Sequence, residues 1–260
     1  MKQYLLPVYS LWLREIVRFL RQRKRVVSAL GQPLIFWALL GFGFQSTFVY
    51  PNQQASISYL KYFFPGIIAL VVLFTAIFSS FSLIEDKNEG YLQGVFVSPI
   101  TRLGLVLGKV LGGATLATFQ ACLFLILAPL VGFSLTLLSV LLFIVLSFLI
   151  SILLTAFGYC LAWKMDSSQG FHAVMMLILM PLWFLSGAFF PQTNLPWLLK
   201  VVMTLNPMTY VVAIIRRVLH WKEMYLLVDT PSLALSFLVI LVFLGVTSYL
   251  AWRQTNRSFG

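Results

Sequence analysis

Carboxylates are scarce in this chain: seven Asp and Glu stand among 260 residues, against eighteen Lys and Arg. Charged residues of both signs reach only 10%, where a soluble globular domain carries roughly a quarter. With 60% hydrophobic residues and a mean hydropathy of +0.95, the chain is excluded from the soluble class and reads as an integral membrane protein. Cysteine is nearly absent, and both copies, Cys122 and Cys160, fall inside apolar runs, which excludes a disulfide scaffold. The two histidines, His172 and His220, are far apart in sequence, so no metal constellation is expected. Carboxylates gather at the ends of apolar runs, and Asp166 near Lys164 reads as a loop ion pair, so no catalytic constellation is expected and the chain does not read as an enzyme.

The apolar runs also lack ionisable residues near their centres. Ion-coupled transporters place such residues there, so that class is disfavoured. An apolar interior suits an amphipathic or hydrophobic cargo moved by force applied from outside the spans. The net charge of +11 does not indicate nucleic acid, because seven of the eighteen cations lie in the first 25 residues and the rest border apolar runs. Cations so placed report membrane orientation and lipid headgroups. A phosphate loop is absent: Gly104 and Gly108 enclose three residues where four are needed, and Val110 follows Lys109 in place of Ser or Thr. No cofactor is expected on this chain, so any ATP would have to be handled by a separate subunit.

What the sequence does contain is six runs that meet the length of about 20 residues per crossing: 27–50, 63–84, 103–131, 135–163, 171–190 and 232–252. They predict an all-α fold of six transmembrane helices in a single domain, residues 1–260. Six crossings put both termini on one side, and placing that side inside collects thirteen of the eighteen cations there. Ahead of the first run, 8–26 reads as an amphipathic interface helix, with Trp12, Leu13, Ile16, Phe19 and Leu20 on one face and Arg14, Arg18, Arg21 and Arg25 on the other. A cleavable signal peptide is not expected, since Gly31, Gln32 and Pro33 interrupt the run that follows. Between runs five and six, 191–231 holds two short helical segments, the second capped by Asn206 with Pro207 at its first position. They read as an extracytoplasmic re-entrant hairpin; the alternative is one kinked seventh span.

Three of the seven carboxylates, Glu85, Asp86 and Glu89, fall within five positions after an uncharged run, and such a cluster is expected in water. At helical spacing, Tyr91, Leu92, Val95 and Phe96 form one apolar face, and Pro99 ends the element. A surface helix over 85–98 is predicted, with that face pressed into a partner and Glu85 and Glu89 orienting it. Gly104, Gly108 and Gly112 recur every four residues and predict close helix packing. Gln45, Thr75, Thr118, Gln120 and Ser186 are polar residues within the crossings; they are candidates for helix-to-helix hydrogen bonds or for a substrate path.

The acidic stretch with Glu89-Gly90, Ser98-Pro99 and Gly108-Lys109 resembles the first cytoplasmic loop of the type-two ABC exporter permeases. Tyr91 and Gln93 depart from the small hydroxyl residue and second carboxylate frequent there. Further resemblance lies in Phe184-Leu185-Ser186-Gly187-Ala188-Phe189-Phe190-Pro191 and in Asn206-Pro207-Met208-Thr209-Tyr210, and the likeness covers nearly the whole chain. It implies a permease subunit of the inner membrane, paired with a second protomer as a homodimer and with two copies of a cytoplasmic ABC ATPase that binds ATP and Mg. It implies that Glu85, Asp86, Glu89, Gly90, Tyr91, Leu92, Val95, Phe96 and Pro99 couple the permease to that ATPase. A drug or lipid-like molecule is the implied cargo, with a lipid-linked or decorated saccharide as the second choice. A channel or scaffold without ATP coupling is the rival from another class.

Overall fold

A computed structural model describes residues 2–46, 48, 58–97, 100–192, 195–222 and 230–257. Among them every regular element is helical, as required where lipid offers no partner for backbone N–H and C=O groups. In chain order the helices are α1 (Lys2–Arg21), α2 (Arg23–Gly43), α3 (Tyr59–Ser79), α4 (Phe81–Asn88), α5 (Tyr91–Val97), α6 (Arg102–Leu125), α7 (Leu137–Trp163), α8 (Ser168–Trp183), α9 (Trp197–Leu205), α10 (Pro207–Leu219) and α11 (Leu233–Arg257). Short polar residues start most of the long ones. The side chains of Ser58, Thr101 and Ser167 accept from backbone N–H groups in the first turns of α3, α6 and α8, and Thr136 and Ser139 form a reciprocal capping box on α7.

Five stretches are long and apolar enough to cross a membrane: Tyr59–Asn88, Arg102–Leu125, Leu137–Trp163, Ser168–Ala188 and Leu233–Asn256. The remaining predicted crossing, 27–50, is shorter than expected. Its apolar part is Leu30–Gly43, which rises about 21 Å at 1.5 Å per residue, because Arg23, Lys24 and Arg25 open α2 rather than ending the interface helix. The interface helix predicted over 8–26 is therefore α1, and it stops at Gln22. Of the predicted run, residues 47, 49 and 50 lie outside those described.

The crossing stretches alternate in direction around α3, whose side chains are almost all buried. Glycines let its neighbours close in: a Cβ on Gly158 of α7 would stand 2.9 Å from Ile77 Cα. The outer faces of α7 and α11 carry exposed Leu137, Leu141, Val145, Leu238, Leu241 and Val246, the apolar surface a bilayer covers. At one end of the bundle α4 meets α1 and α6; this is the charged end. At the far end, a π-helical turn at Phe184–Ala188 leads to α9 and α10, which meet at 79°.

This bent pair re-enters rather than crosses. Its preceding residue Phe189 accepts a hydrogen bond from Tyr59 Oη at 3.0 Å, and His220 at its other end packs edge-on against Phe133 at 4.9 Å, so both ends sit at the far end of the bundle. The apex is pinned by Asn206, whose Nδ2 donates to Leu182 O at 2.6 Å and Leu185 O at 2.8 Å while Oδ1 accepts from Met208 N at 2.9 Å. Residues 193–194 and 223–229 of the predicted hairpin lie outside those described. Within the bent pair, Arg216 is a buried charge. It is 7% exposed, lies 4.3 Å above the Tyr62 ring and donates to Gly187 O at 3.0 Å. Gly187, at φ 76°, turns that carbonyl inward, where Tyr62 Oη also donates to it at 2.9 Å.

Candidate functional site

The charged end is built on the glycine row of α6. A Cβ on Gly108 would stand 2.7 Å from Leu11 Cβ, one on Gly112 2.7 Å from Glu15 Cβ, and one on Gly104 3.5 Å from a Val8 methyl. The row thus seats α1, an approach that only residues without side chains permit. Trp12 Nε1 then reaches Thr115 Oγ1 at 3.0 Å. The same approach brings Glu15 within 2.6 Å of Lys109 Nζ, which also donates to Ser82 Oγ at 3.1 Å and to Asp86.

Asp86 is the centre of the cluster and is 0% exposed. Arg14 binds it with both terminal nitrogens at 2.9 and 2.6 Å, and Arg18 reaches it at 3.0 Å while its other nitrogen holds Glu85 at 2.7 Å. The bond to Asp86 holds the Arg14 guanidinium above its ordinary value although burial works against it. A carboxylate taken out of water is tolerable only when so many donors surround it. The expectation that Glu85, Asp86 and Glu89 together sit in water therefore fails for Asp86. Only Glu89 stands largely in solvent, 3.9 Å from Arg18. The basic face of α1 is corrected too: Arg14 and Arg18 turn into the protein to meet this charge.

One helix over 85–98 is likewise not what forms. α4 continues the span to Asn88, Gly90 at φ 71° breaks the chain direction, and α5 starts at Tyr91. Glu85 and Asp86 pair with Arg18 and Arg14 of α1. Leu92 and Val95, expected to be anchors for a partner, are 4% and 7% exposed within the protein's own core. Tyr91 is half-exposed, with the Arg14 guanidinium 3.7 Å over its ring. Gln93 and Gly94 are exposed, as Tyr91 is, and a Cβ on Gly94 would meet nothing. The Phe96 side chain and Pro99 lie outside the described residues. On the other side of α4, Lys87 Nζ caps the end of α7 through Trp163 O and Met165 O at 3.1 Å each and pairs with Asp166 at 2.7 Å. The α7–α8 turn is thereby tied to the base of α5, and Asp166 pairs with Lys87, not Lys164.

The polar residues within the crossings do not converge on one path. Thr75 donates to Gln120 across α3 and α6, and Thr118 donates to Ser151 Oγ at 3.3 Å across α6 and α7. Ser186 bonds Trp183 O at 2.6 Å at the far end, and Gln45 is exposed after α2. Thr75 alone of these lines a cavity of about 430 Å³ bounded by α1, α2, α3, α4 and α8. Arg14, Glu15 and Lys109 were not legible as a set, although one sign was present: Leu11, Glu15 and Phe19 share a helical stripe, and a carboxylate on an apolar stripe requires a cation.

The family described as "ABC-2 type transporter" matches residues 7–220. The ycf38 protein of Cyanophora paradoxa, which its name describes as a transport permease, is 25% identical over 98% of this chain and 90% of its own length. The protein of Escherichia coli (strain K12) named as multidrug ABC transporter permease YbhR is 25% identical over 76% of this chain, which spans 54% of its length. The daunorubicin resistance ABC transporter permease protein DrrB1 of Streptomyces coeruleorubidus is 24% identical over 81% of this chain and 73% of its own length.

Proposed function

The chain belongs to the ABC-2 type transporter family, and on that premise we propose that it is the membrane-spanning subunit of an ATP-driven exporter. Two protomers would associate with two copies of a cytoplasmic ABC ATPase, which would supply the ATP and Mg site. The charged end would face the cytoplasm of an inner-membrane protein, in keeping with the cations gathered there. The observation that carries the reading is the mounting of α5. It stands exposed at Gln93 and Gly94, while its base at α4 is held by Arg14, Arg18 and Lys109 on one side and by the α7–α8 turn on the other. A push on α5 would therefore move α1, α4, α6 and the α7–α8 turn together, which is the property a force-transmitting element needs. An amphipathic or hydrophobic cargo fits the cavity beside this junction.

The test places bulk and charge on the exposed positions alone. Gln93→Arg with Gly94→Trp should leave insertion and yield unchanged, because neither side chain is in the core, and should reduce both ATPase pull-down and drug export from the same cells at least about tenfold, the scale of one interface hot spot. Undiminished pull-down and export would refute the coupling role of α5.

A further inference from the structure

Three packed helices weaken at one level of the bundle. The apolar stretch Tyr59–Asn88 holds no Gly or Pro between Gly66 and Gly90, yet its helix breaks at Ser80, the residue between α3 and α4. Ser80 stands at ψ −11°, where an α-helix has about −42°. The bonds beside it span three residues, from Ser80 N to Ile77 O and from Leu83 N to Ser80 O, both at 3.0 Å. Ser79 Oγ adds to the break by donating to Ala76 O at 2.6 Å. At the same level α6 carries Gly112 and Gly113, and α7 carries Gly158. A Cβ on Gly113 would stand 2.9 Å from Ser79 Cβ and 2.7 Å from a Thr155 methyl, and one on Gly158 would stand 2.9 Å from both Ile77 Cα and Ser80 Oγ. We propose that Ser79 and Ser80, Gly112 and Gly113, and Gly158 form a rocking joint between the charged end and the rest of the bundle, so that, on the exporter reading, a push on α5 becomes a tilt of the spans.

Polar ties on either side divide the protein at this level. Toward the charged end, Asp86 joins α4 to Arg14 and Arg18 of α1 and to Lys109 of α6, and Lys87 joins it to Trp163 O at the end of α7. Toward the far end, Thr75 bonds Gln120 and Thr118 bonds Ser151, so α3, α6 and α7 are tied to one another there as well. Interdigitated side chains resist relative motion, but at the joint glycine backbone lies against a Ser-Ser break, and such smooth surfaces pivot without a change of rotamer. One bond that crosses the joint, from Ser80 Oγ to Thr155 O, is long at 3.3 Å. Glycine in a helix interior also weakens the helix locally, because ordering its backbone costs more entropy than ordering alanine. Serine hydroxyls compete for the carbonyls that an α-helix would use. A three-residue turn inside a long helix is where a hinge forms.

Hydrogen exchange of the full chain in lipid nanodiscs, resolved to single amides and taken relative to intrinsic rates, reads the joint with no ATPase present. Protection should pass through a local minimum at 80–83 and 112–116, at least about tenfold below that of 84–87 and 107–110 on the charged side and of 70–76 and 119–124 on the far side. Depth in the membrane alone would instead raise protection steadily from 84–87 inward. Ser79→Ala with Ser80→Ala removes both hydroxyls and adds no volume. This pair should raise protection at 80–83 about fivefold and cut export at least about threefold, with yield and ATPase pull-down at wild-type levels. Ser80→Gly should lower protection there about threefold. A steady inward rise in the wild type, or protection at 80–83 that neither the alanine pair nor Ser80→Gly changes, would overturn the joint. Full export by the alanine pair despite raised protection would overturn its part in transport. Failure of wild-type ATPase pull-down would sink the exporter reading instead, and the joint would stand or fall by exchange alone.

Discussion

Replacing Asp86 with Asn tests whether the charged end is a structural keystone. The side chain keeps its shape and loses its charge, leaving Arg14, Arg18 and Lys109 turned toward a neutral amide from 2.6 to 3.0 Å away for the two arginines. At an effective dielectric near 20 each of the three attractions is on the order of 4 kcal/mol. Most of this is offset by the desolvation of the ions, so the loss on breaking the set should be about 3–5 kcal/mol. At roughly 2–4 °C per kcal/mol for a chain of this size, the melting temperature should fall by about 6–20 °C. Lys109→Met alone strands Glu15, whose other cation, Arg14, is 3.9 Å distant, and should cost a similar amount. Apart from the solvent-exposed Glu89, the double variant leaves Arg14 and Arg18 facing Glu15 and Glu85, a balanced buried set, so its loss should fall short of the two single losses added, by about 1–3 kcal/mol. Thermal unfolding of the full chain in one detergent, followed by tryptophan fluorescence, measures all three. If Asp86→Asn melts within about 2 °C of wild type, or if the two losses simply add, the buried cluster is not the coupled unit described here.

Gly108→Leu should unseat α1, at a cost of about 1–3 kcal/mol from overpacking, and expose α1 to trypsin, whereas Gly94→Ala, whose Cβ meets nothing, should be neutral or slightly stabilising by melting temperature. The hydrogen bond from Lys87 holds the Asp166 carboxyl below its ordinary range. Its contribution is therefore complete above the unfolded-state value near pH 4 and is lost as pH falls through the lower folded-state value. Hydrogen-exchange protection in residues 164–167, taken relative to the intrinsic exchange rate at each pH, should fall on acidification below about pH 4, stay flat near neutrality, and lose this pH response in Asp166→Asn. For topology, tags near Gln192 and His220 should react with reagents that cannot cross the membrane in intact cells, while tags at Lys87 and Gly260 should not; a protected His220 with an exposed Gly260 would restore the seven-span alternative.

Membrane class, helical content and most element boundaries were legible because they depend on composition and local pattern. Apolar runs of about 20 residues and Asn206-Pro207 at a helix start act over neighbouring residues only. The glycine row of α6 was visible as a packing surface, but its partner was not, since nothing in a four-residue repeat names the helix that will lie on it. The expected exposure of the apolar face within 85–98 failed for the same reason. Leu92 and Val95 read as an exposed apolar face by period, and only the packing of α5 against its own chain turned them inward.

Charge shows the division most clearly. The sequence by itself determined that carboxylates are few, that three cluster after a span, and that basic residues repeat along the first helix, because these are facts of composition and spacing. Only the tertiary structure decided that Asp86 lies fully buried among Arg14, Arg18 and Lys109 rather than in water, and that Glu15 completes the set. A buried charge is stable through partners far along the chain, here 68 to 72 residues away for the two arginines, and no local pattern specifies which distant residues folding will bring together.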